Sequence, residues 1–135
     1  MNFEFKKVGV LGTGVMGAQI AAHLSNAKVE VYAFDMNQDV TLEGLEKCKK
    51  LKPSPFYNPK TSELITPLNY EEHLDKLSEC DWVVEAISER LDWKQDLYKK
   101  VIPHLKDNAI VTSNTSGLSL SDLSNGMPDE FLKCF

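Results

Sequence analysis

Residues Gly12, Thr13, Gly14, Val15, Met16 and Gly17 read GTGVMG, a GxGxxG turn, and an acid, Asp35, follows at close to the roughly 20-residue separation that a dinucleotide site uses. Each position has a physical job. A glycine at 12 permits a tight turn, one at 14 lets a pyrophosphate approach the backbone without meeting a Cβ, and one at 17 lets a helix pack close to a sheet. The helix that opens here presents free N–H groups to the anion. Asp35 can accept both hydroxyls of an adenosine ribose and would repel a 2′-phosphate, so NAD is the favoured ligand. Flavin and S-adenosylmethionine sites use related turns, and a glycine turn kept only for packing, with Asp35 a solvated strand end, is the plainer alternative. No Lys-Ser or Lys-Thr follows the glycines, which excludes a P-loop.

These residues need particular elements to hold them. Lys7 to Leu11 is a short apolar run that ends in glycine, and VMGAQIAAHLSNAK continues with helical spacing at Met16, Ile20 and Leu24. VEVYAFD reads as a second strand ending in Asp35. From Asp39 to about Lys52, Leu42, Leu45, Cys48 and Leu51 predict a helix with one apolar face. Pro53, Pro55 and Pro59 then make PSPFYNPKTSELITPLN an irregular insertion. YEEHLDKLSEC predicts a short helix, DWVVEAI a buried strand, Leu91 to Ile102 a longer helix, and NAIVTS another strand. Ser119 or Ser121 caps a short helix, and EFLKCF resembles the start of a strand. Strands alternating with helices predict a Rossmann-like, doubly wound, mostly parallel α/β sheet with helices on both faces, forming one domain over residues 1–135.

Composition narrows the field. In 135 residues, 42% hydrophobic and 26% charged, the chain can bury a core. A net charge of −5 disfavours nucleic acid, and no apolar run is long enough to span a membrane. Cys48, Cys80 and Cys134 are odd in number, well separated and free of any CxxC, so neither a disulfide framework nor a metal site is expected. The N-terminus has no cleavable apolar leader, and a cytoplasmic setting is expected.

Taken in order, VGVLGTGVMGAQIA, WVVEAISERLDWKQDLY and IVTSNTSGLSLSDL resemble the N-terminal NAD-binding domain of the L-3-hydroxyacyl-CoA dehydrogenases of fatty-acid β-oxidation. The resemblance implies NAD-dependent oxidation of 3-hydroxyacyl-CoA to 3-oxoacyl-CoA, an acyl-CoA substrate and a homodimer for the full-length enzyme. It implies that the Gly12–Gly17 segment holds the pyrophosphate and Asp35 the adenosine ribose. Ala86 would approach the cofactor through its backbone, and Glu89 and Lys94 would reach the nicotinamide-side ribose. Ser116 would sit beside both nicotinamide and substrate, as the catalytic candidate, with Asn114 in the same turn. From the residues alone, Glu85 and Glu89 could be solvated acids at a helix start, Lys94 a surface lysine, and Ser113 and Thr115 turn or capping hydroxyls. A hydroxybutyryl-CoA or sugar-acid dehydrogenase of the same superfamily, and a stand-alone NAD-binding or sensing module, are the other readings.

The family carries a longer helical hairpin where this chain has PSPFYNPKTSELITPL, so no coenzyme A residues are carried over there. Lys47, Lys49, Lys50 and Lys52 could meet coenzyme A phosphates, though a solvated cluster complementing the helix dipole is the simpler role. Oxidising a hydroxyl also needs a base. None of His23, His73 and His104 is placed by the pattern beside the SNTS turn. The expectation is a chain cut before the catalytic His and a C-terminal helical domain.

Overall fold

The computed structural model describes residues 6–52, 54–56, 59–114, 118–128, 132 and 135. Strands β1 (Lys7–Leu11), β2 (Glu30–Asp35), β3 (Ile65–Asn69), β4 (Trp82–Glu85) and β5 (Ile110–Ser113) form one sheet in the order β3-β2-β1-β4-β5, every neighbouring pair parallel. Helices α1 (Val15–Asn26), α2 (Gln38–Lys49), α3 (Leu91–Val101) and α4 (Leu120–Ser124) fill the connections, with 3₁₀ turns at Pro59–Leu64, Leu74–Glu79 and Ile102–His104.

The strands are buried on both faces, as a parallel sheet requires. The two-residue period divides their side chains between two cores. Val8, Val10, Val31, Ala33 and Val84 pack with Ala18, Ala21 and Ala22 of α1 and Leu45 and Cys48 of α2. Leu11, Phe34, Val83 and Val111 pack with Leu97, Tyr98 and Val101 of α3 and Leu123 of α4. The doubly wound expectation holds, and the order of strands reverses between β1 and β4. An open α/β sheet binds ligands in the crevice at the carboxyl ends of such strands.

Some local expectations change. The segment expected to be an irregular insertion contains β3, hidden by Pro67 in its centre. β3 is an edge strand, where a residue with no N–H to donate is tolerated. On α1 the fully buried side is Gly17, Ala18, Ala21, Ala22 and Ser25, because small residues let the helix lie close to the sheet; of the Met16–Ile20–Leu24 stripe, Ile20 and Leu24 pack partly buried against the core and Met16 is exposed. On α2, Leu45 and Cys48 are core, but Leu42 and Leu51 face solvent and Thr41 is buried, its Oγ1 donating to Leu68 O at 2.7 Å. LDKLSE is the short helix expected within YEEHLDKLSEC, wound as 3₁₀. The EFLKCF segment lies mostly outside the described residues, but Leu132 N donates to Pro128 O at 3.2 Å, a helical rather than an extended contact.

Candidate functional site

The GTGVMG turn lies at the carboxyl end of β1. Gly12 has φ +106°, and a Cβ there would stand 2.7 Å from Ala86 O, so the tight turn is open to glycine alone. A Cβ on Gly17 would stand 2.0 Å from Gly12 O, which fixes how closely α1 approaches β1. Gly14 is different, since a Cβ there would meet nothing within 4 Å. Glycine at 14 is therefore not demanded by the protein's own packing, and the space beside it belongs to whatever binds. α1 starts from Gly14 with no side-chain cap and no acid in its first turn, leaving its N-terminal amides for an anion. Val15 and Met16, the next two residues, are exposed to solvent.

Asp35 closes the turn from β2. Its Oδ2 accepts from Thr13 N at 2.8 Å and Thr13 Oγ1 at 2.9 Å, and its Oδ1 accepts from Met36 N at 2.7 Å. Thr13 itself is almost wholly buried, and α2 presses on it: a Cβ on Gly44 would stand 2.1 Å from Thr13 O. A glycine in the middle of an amphipathic helix, as Gly44 is, signals such a close approach in the sequence itself.

Beside the turn lies a cleft of about 500 Å³ lined by Gly12, Gly14, Asp35, Ala86 and the mixed surface of Met36, Tyr70, Ile87, Trp93 and Lys100. Ala86 reaches it from the end of β4, anchored by its N–H to Leu11 O at 2.8 Å. A glycine with open space, uncapped helix amides, a strand-end carboxylate and a part-apolar cleft together fit a dinucleotide.

The far side of the site holds a network that the sequence did not reveal. Period 2 puts Glu85 on the α3 side of the sheet with Val83, fully buried. Its Oε2 pairs with Lys94 Nζ at 2.9 Å and accepts from Ile87 N at 2.9 Å. Its Oε1 accepts from Tyr98 Oη at 2.6 Å, Ser113 Oγ at 2.7 Å and Lys94 Nζ at 3.1 Å. The solvated-acid alternative therefore fails for Glu85, the surface-lysine alternative fails for Lys94, and Ser113 is neither turn nor cap but a strand-end donor. Lys94 also reaches Glu89 Oε1 at 3.1 Å, and Glu89 is the member of this group open to solvent. Burial and the Glu85 carboxylate hold the Tyr98 phenol well above its usual range. Asn114, exposed at the end of β5, is fixed by its N–H to Glu85 O at 2.7 Å. Ser116, with Thr115 and Gly117, lies outside the described residues. The structure thus gathers Gly12, Gly14, Asp35 and Ala86 at one cleft, with Thr13 and Gly17 buried behind it, and ties Glu89, Lys94 and Asn114 together through Glu85.

The remaining candidates lie elsewhere. His23 is exposed on α1, His73 accepts from Asn69 N at 3.1 Å beyond β3, and His104 precedes β5 at its amino end. β3 and β5 are opposite edges of the sheet, so none of the three stands beside Asn114. Lys47 pairs with Glu43 at 2.9 Å and Lys49 with Glu46 at 3.1 Å along α2, as a solvated helix face does. Among the described residues there is no cluster able to hold a metal ion, and no helix is long and apolar enough to cross a membrane.

Comparison with known proteins agrees with this geometry. Residues 7–132 match the sequence profile of the family described as 3-hydroxyacyl-CoA dehydrogenase, NAD binding domain. The chain belongs to that family. A probable 3-hydroxyacyl-CoA dehydrogenase of Bacillus subtilis is 36% identical over 152 residues, covering 97% of this chain and 19% of the relative. A protein of the same description from Deinococcus radiodurans is 38% identical over 139 residues, covering 98% of this chain and 40% of the relative. The dehydrogenase part of a multifunctional enzyme from C. elegans superposes with a TM-score of 0.76 at 26% identity, over 95% of this chain and 30% of that one. A 3-hydroxybutyryl-CoA dehydrogenase from Escherichia coli K12 shares the fold, with a TM-score of 0.78 at 20% identity over 95% of this chain and 28% of that one. The chain thus spans well under half the length of these relatives. As an NAD-binding domain of this family, it takes NAD as its cofactor.

Proposed function

We propose that this chain is the cofactor-holding part of an enzyme that oxidises 3-hydroxyacyl-CoA to 3-oxoacyl-CoA, in the manner of fatty-acid β-oxidation. The observation that carries the reading is the open space at Gly14 facing a strand-end carboxylate, in a chain whose family is named for this reaction. NAD, when bound, supplies the hydride acceptor. The residues of the chain do the rest of the positioning. The amides opening α1 hold the pyrophosphate, and Asp35 takes the ribose hydroxyls while staying bonded to Thr13. Glu89, held by Lys94, is the group for the nicotinamide-side ribose, and Asn114 at the end of β5 is the group for the substrate side, with the role of Ser116 resting on the family resemblance alone.

The proton of the 3-hydroxyl needs a base, and none of the three histidines is placed to act. Relatives of which this chain covers 19% and 40% have room for one elsewhere, along with the rest of the acyl-CoA pocket and a homodimer contact. Buried thiols at Cys48 and Cys80 suit a reducing, cytoplasmic setting. The test is to follow NADH absorbance with acetoacetyl-CoA. These 135 residues should bind NADH without turnover, and the same residues joined to the C-terminal domain of a relative should turn over. Turnover by these residues alone, abolished by replacing His23, His73 or His104, would overturn the assignment of the base.

A further inference from the structure

Tyr70 stands one residue beyond β3, where its N–H donates to Asp35 O at 3.0 Å and its ring lies parallel to that of Phe34 at 6.4 Å between centroids. The side chain lines the cleft that Asp35 and the glycine turn share. Its Oη is buried and, among the described residues, has no hydrogen-bond partner. Every other buried side-chain oxygen or nitrogen described here is satisfied, Thr41, Asn69, Glu85 and Lys94 included. A buried hydroxyl without a partner is costly, and one retained at the edge of a ligand cleft calls for an explanation. Burial and the nearby carboxylates of Asp35 and Glu85 raise its pKa, so the group is a neutral O–H donor at physiological pH.

We infer that Tyr70 Oη is a base-recognition group that donates a hydrogen bond to the purine of the bound dinucleotide. The inference rests on the reading of this cleft as the NAD site. With the pyrophosphate at Gly14 and the ribose at Asp35, the rest of the lining is left for the base. Within that lining Met36, Ile87, Trp93 and Leu97 offer a flat heterocycle apolar surface, Ser88, Asp96 and Lys100 are polar, and Tyr70 brings the one buried hydroxyl without a partner among the described residues. A purine edge presents ring nitrogens as acceptors, which suits a donor that has no competing partner. The oxygen is covered in the empty cleft, so the lining must yield slightly for the bond to form. Met36, unbranched and 60% exposed, is the side chain suited to move.

The experiment is Tyr70→Phe in this chain, with thermal unfolding of the empty protein and titration with NADH, ADP-ribose and reduced nicotinamide mononucleotide. The expected result has two parts. The empty variant unfolds at the same or a higher temperature, because no internal bond is lost. Its affinity for NADH and ADP-ribose falls by roughly threefold to tenfold, while the mononucleotide, which lacks the purine, is unaffected. Unchanged NADH affinity, a loss confined to the mononucleotide, or a clear fall in stability of the empty variant would each overturn the role. Failure of the unmutated chain to bind NADH at all would instead overturn the reading of the cleft on which the role depends.

Discussion

Glu85 and Lys94 form an ion pair at 2.9 Å in which neither side chain is exposed to solvent. The carboxylate accepts from a tyrosine, a serine and a backbone amide besides the lysine, and the lysine reaches a second acid, Glu89. A buried pair of this kind is tolerable because the hydrogen bonds that surround it offset its desolvation. It joins β4, β5 and α3 at the end of the sheet where the SNTS turn begins.

Lys94→Met should therefore leave a charged carboxylate buried without its counter-ion and cost about 3–5 kcal/mol of stability. Combining it with Glu85→Gln should recover part of that loss, since the neutral amide no longer needs the ammonium. Urea unfolding of both variants reads the effect. A loss below about 1 kcal/mol for Lys94→Met would place the pair among solvated surface bridges.

The glycines should separate by role. Gly14→Val should fold normally and lose NADH, because its side chain enters space that the protein leaves open. Gly44→Ala reverses the usual sign. Mid-helix, alanine ordinarily gains roughly 0.5–1 kcal/mol over glycine, but here the new Cβ would stand 2.1 Å from Thr13 O. Overpacking of that kind costs about 1–3 kcal/mol, so thermal unfolding should show Gly44→Ala below the parent. A stabilised Gly44→Ala would mean that α2 does not press on the turn.

Cofactor choice should follow Asp35. NADH should bind better than NADPH, and Asp35→Ala should remove most of the preference by losing a charge-assisted bond worth about 1.5–3 kcal/mol. Because Asp35 also holds Thr13 N and Oγ1, the same change should loosen the turn. Thr13→Val is the control: it deletes only the hydroxyl contact and should keep the NADH preference. Equal affinity of the parent for both cofactors in a fluorescence titration is the result that defeats the assignment.

Stability should decline in alkali. Burial pushes the Cys80 thiol from 9.0 up to about 12, and burial, followed by neighbouring carboxylates, raises the phenols of Tyr70 and Tyr98. The folded chain keeps these protons where the unfolded chain gives them up. Their contribution is fully present below about pH 9 and is lost as pH rises toward 12. Denaturant midpoints should be similar at pH 7 and pH 8 and lower at pH 10.5. A midpoint that is flat or rises across this range would contradict the burial of these groups.

The sequence by itself determined the sites where one residue type performs a local task. Gly12 and Gly14, Asp35 ending a β-branched strand, and the alternation of strand and helix are readable because turn geometry, strand period and helix period are properties of neighbours along the chain. Tertiary structure decided everything that depends on residues far apart in sequence. β3 is hidden in the sequence because Pro67 argues against a strand, and only the sheet order puts it at an edge where proline is tolerated. The fully buried side of α1 is made of small residues, with Ile20 only partly covered and Met16 exposed, because the closeness of the sheet, set at Gly17, selects small side chains. Glu85, Lys94, Tyr98 and Ser113 look like scattered polar residues in the chain, and only the pairing of β4 with β5 beneath α3 makes them one buried network. Tyr70 carries no local mark at all: that its hydroxyl lacks a partner follows from everything packed around it, and a linear sequence does not encode that packing in any one stretch.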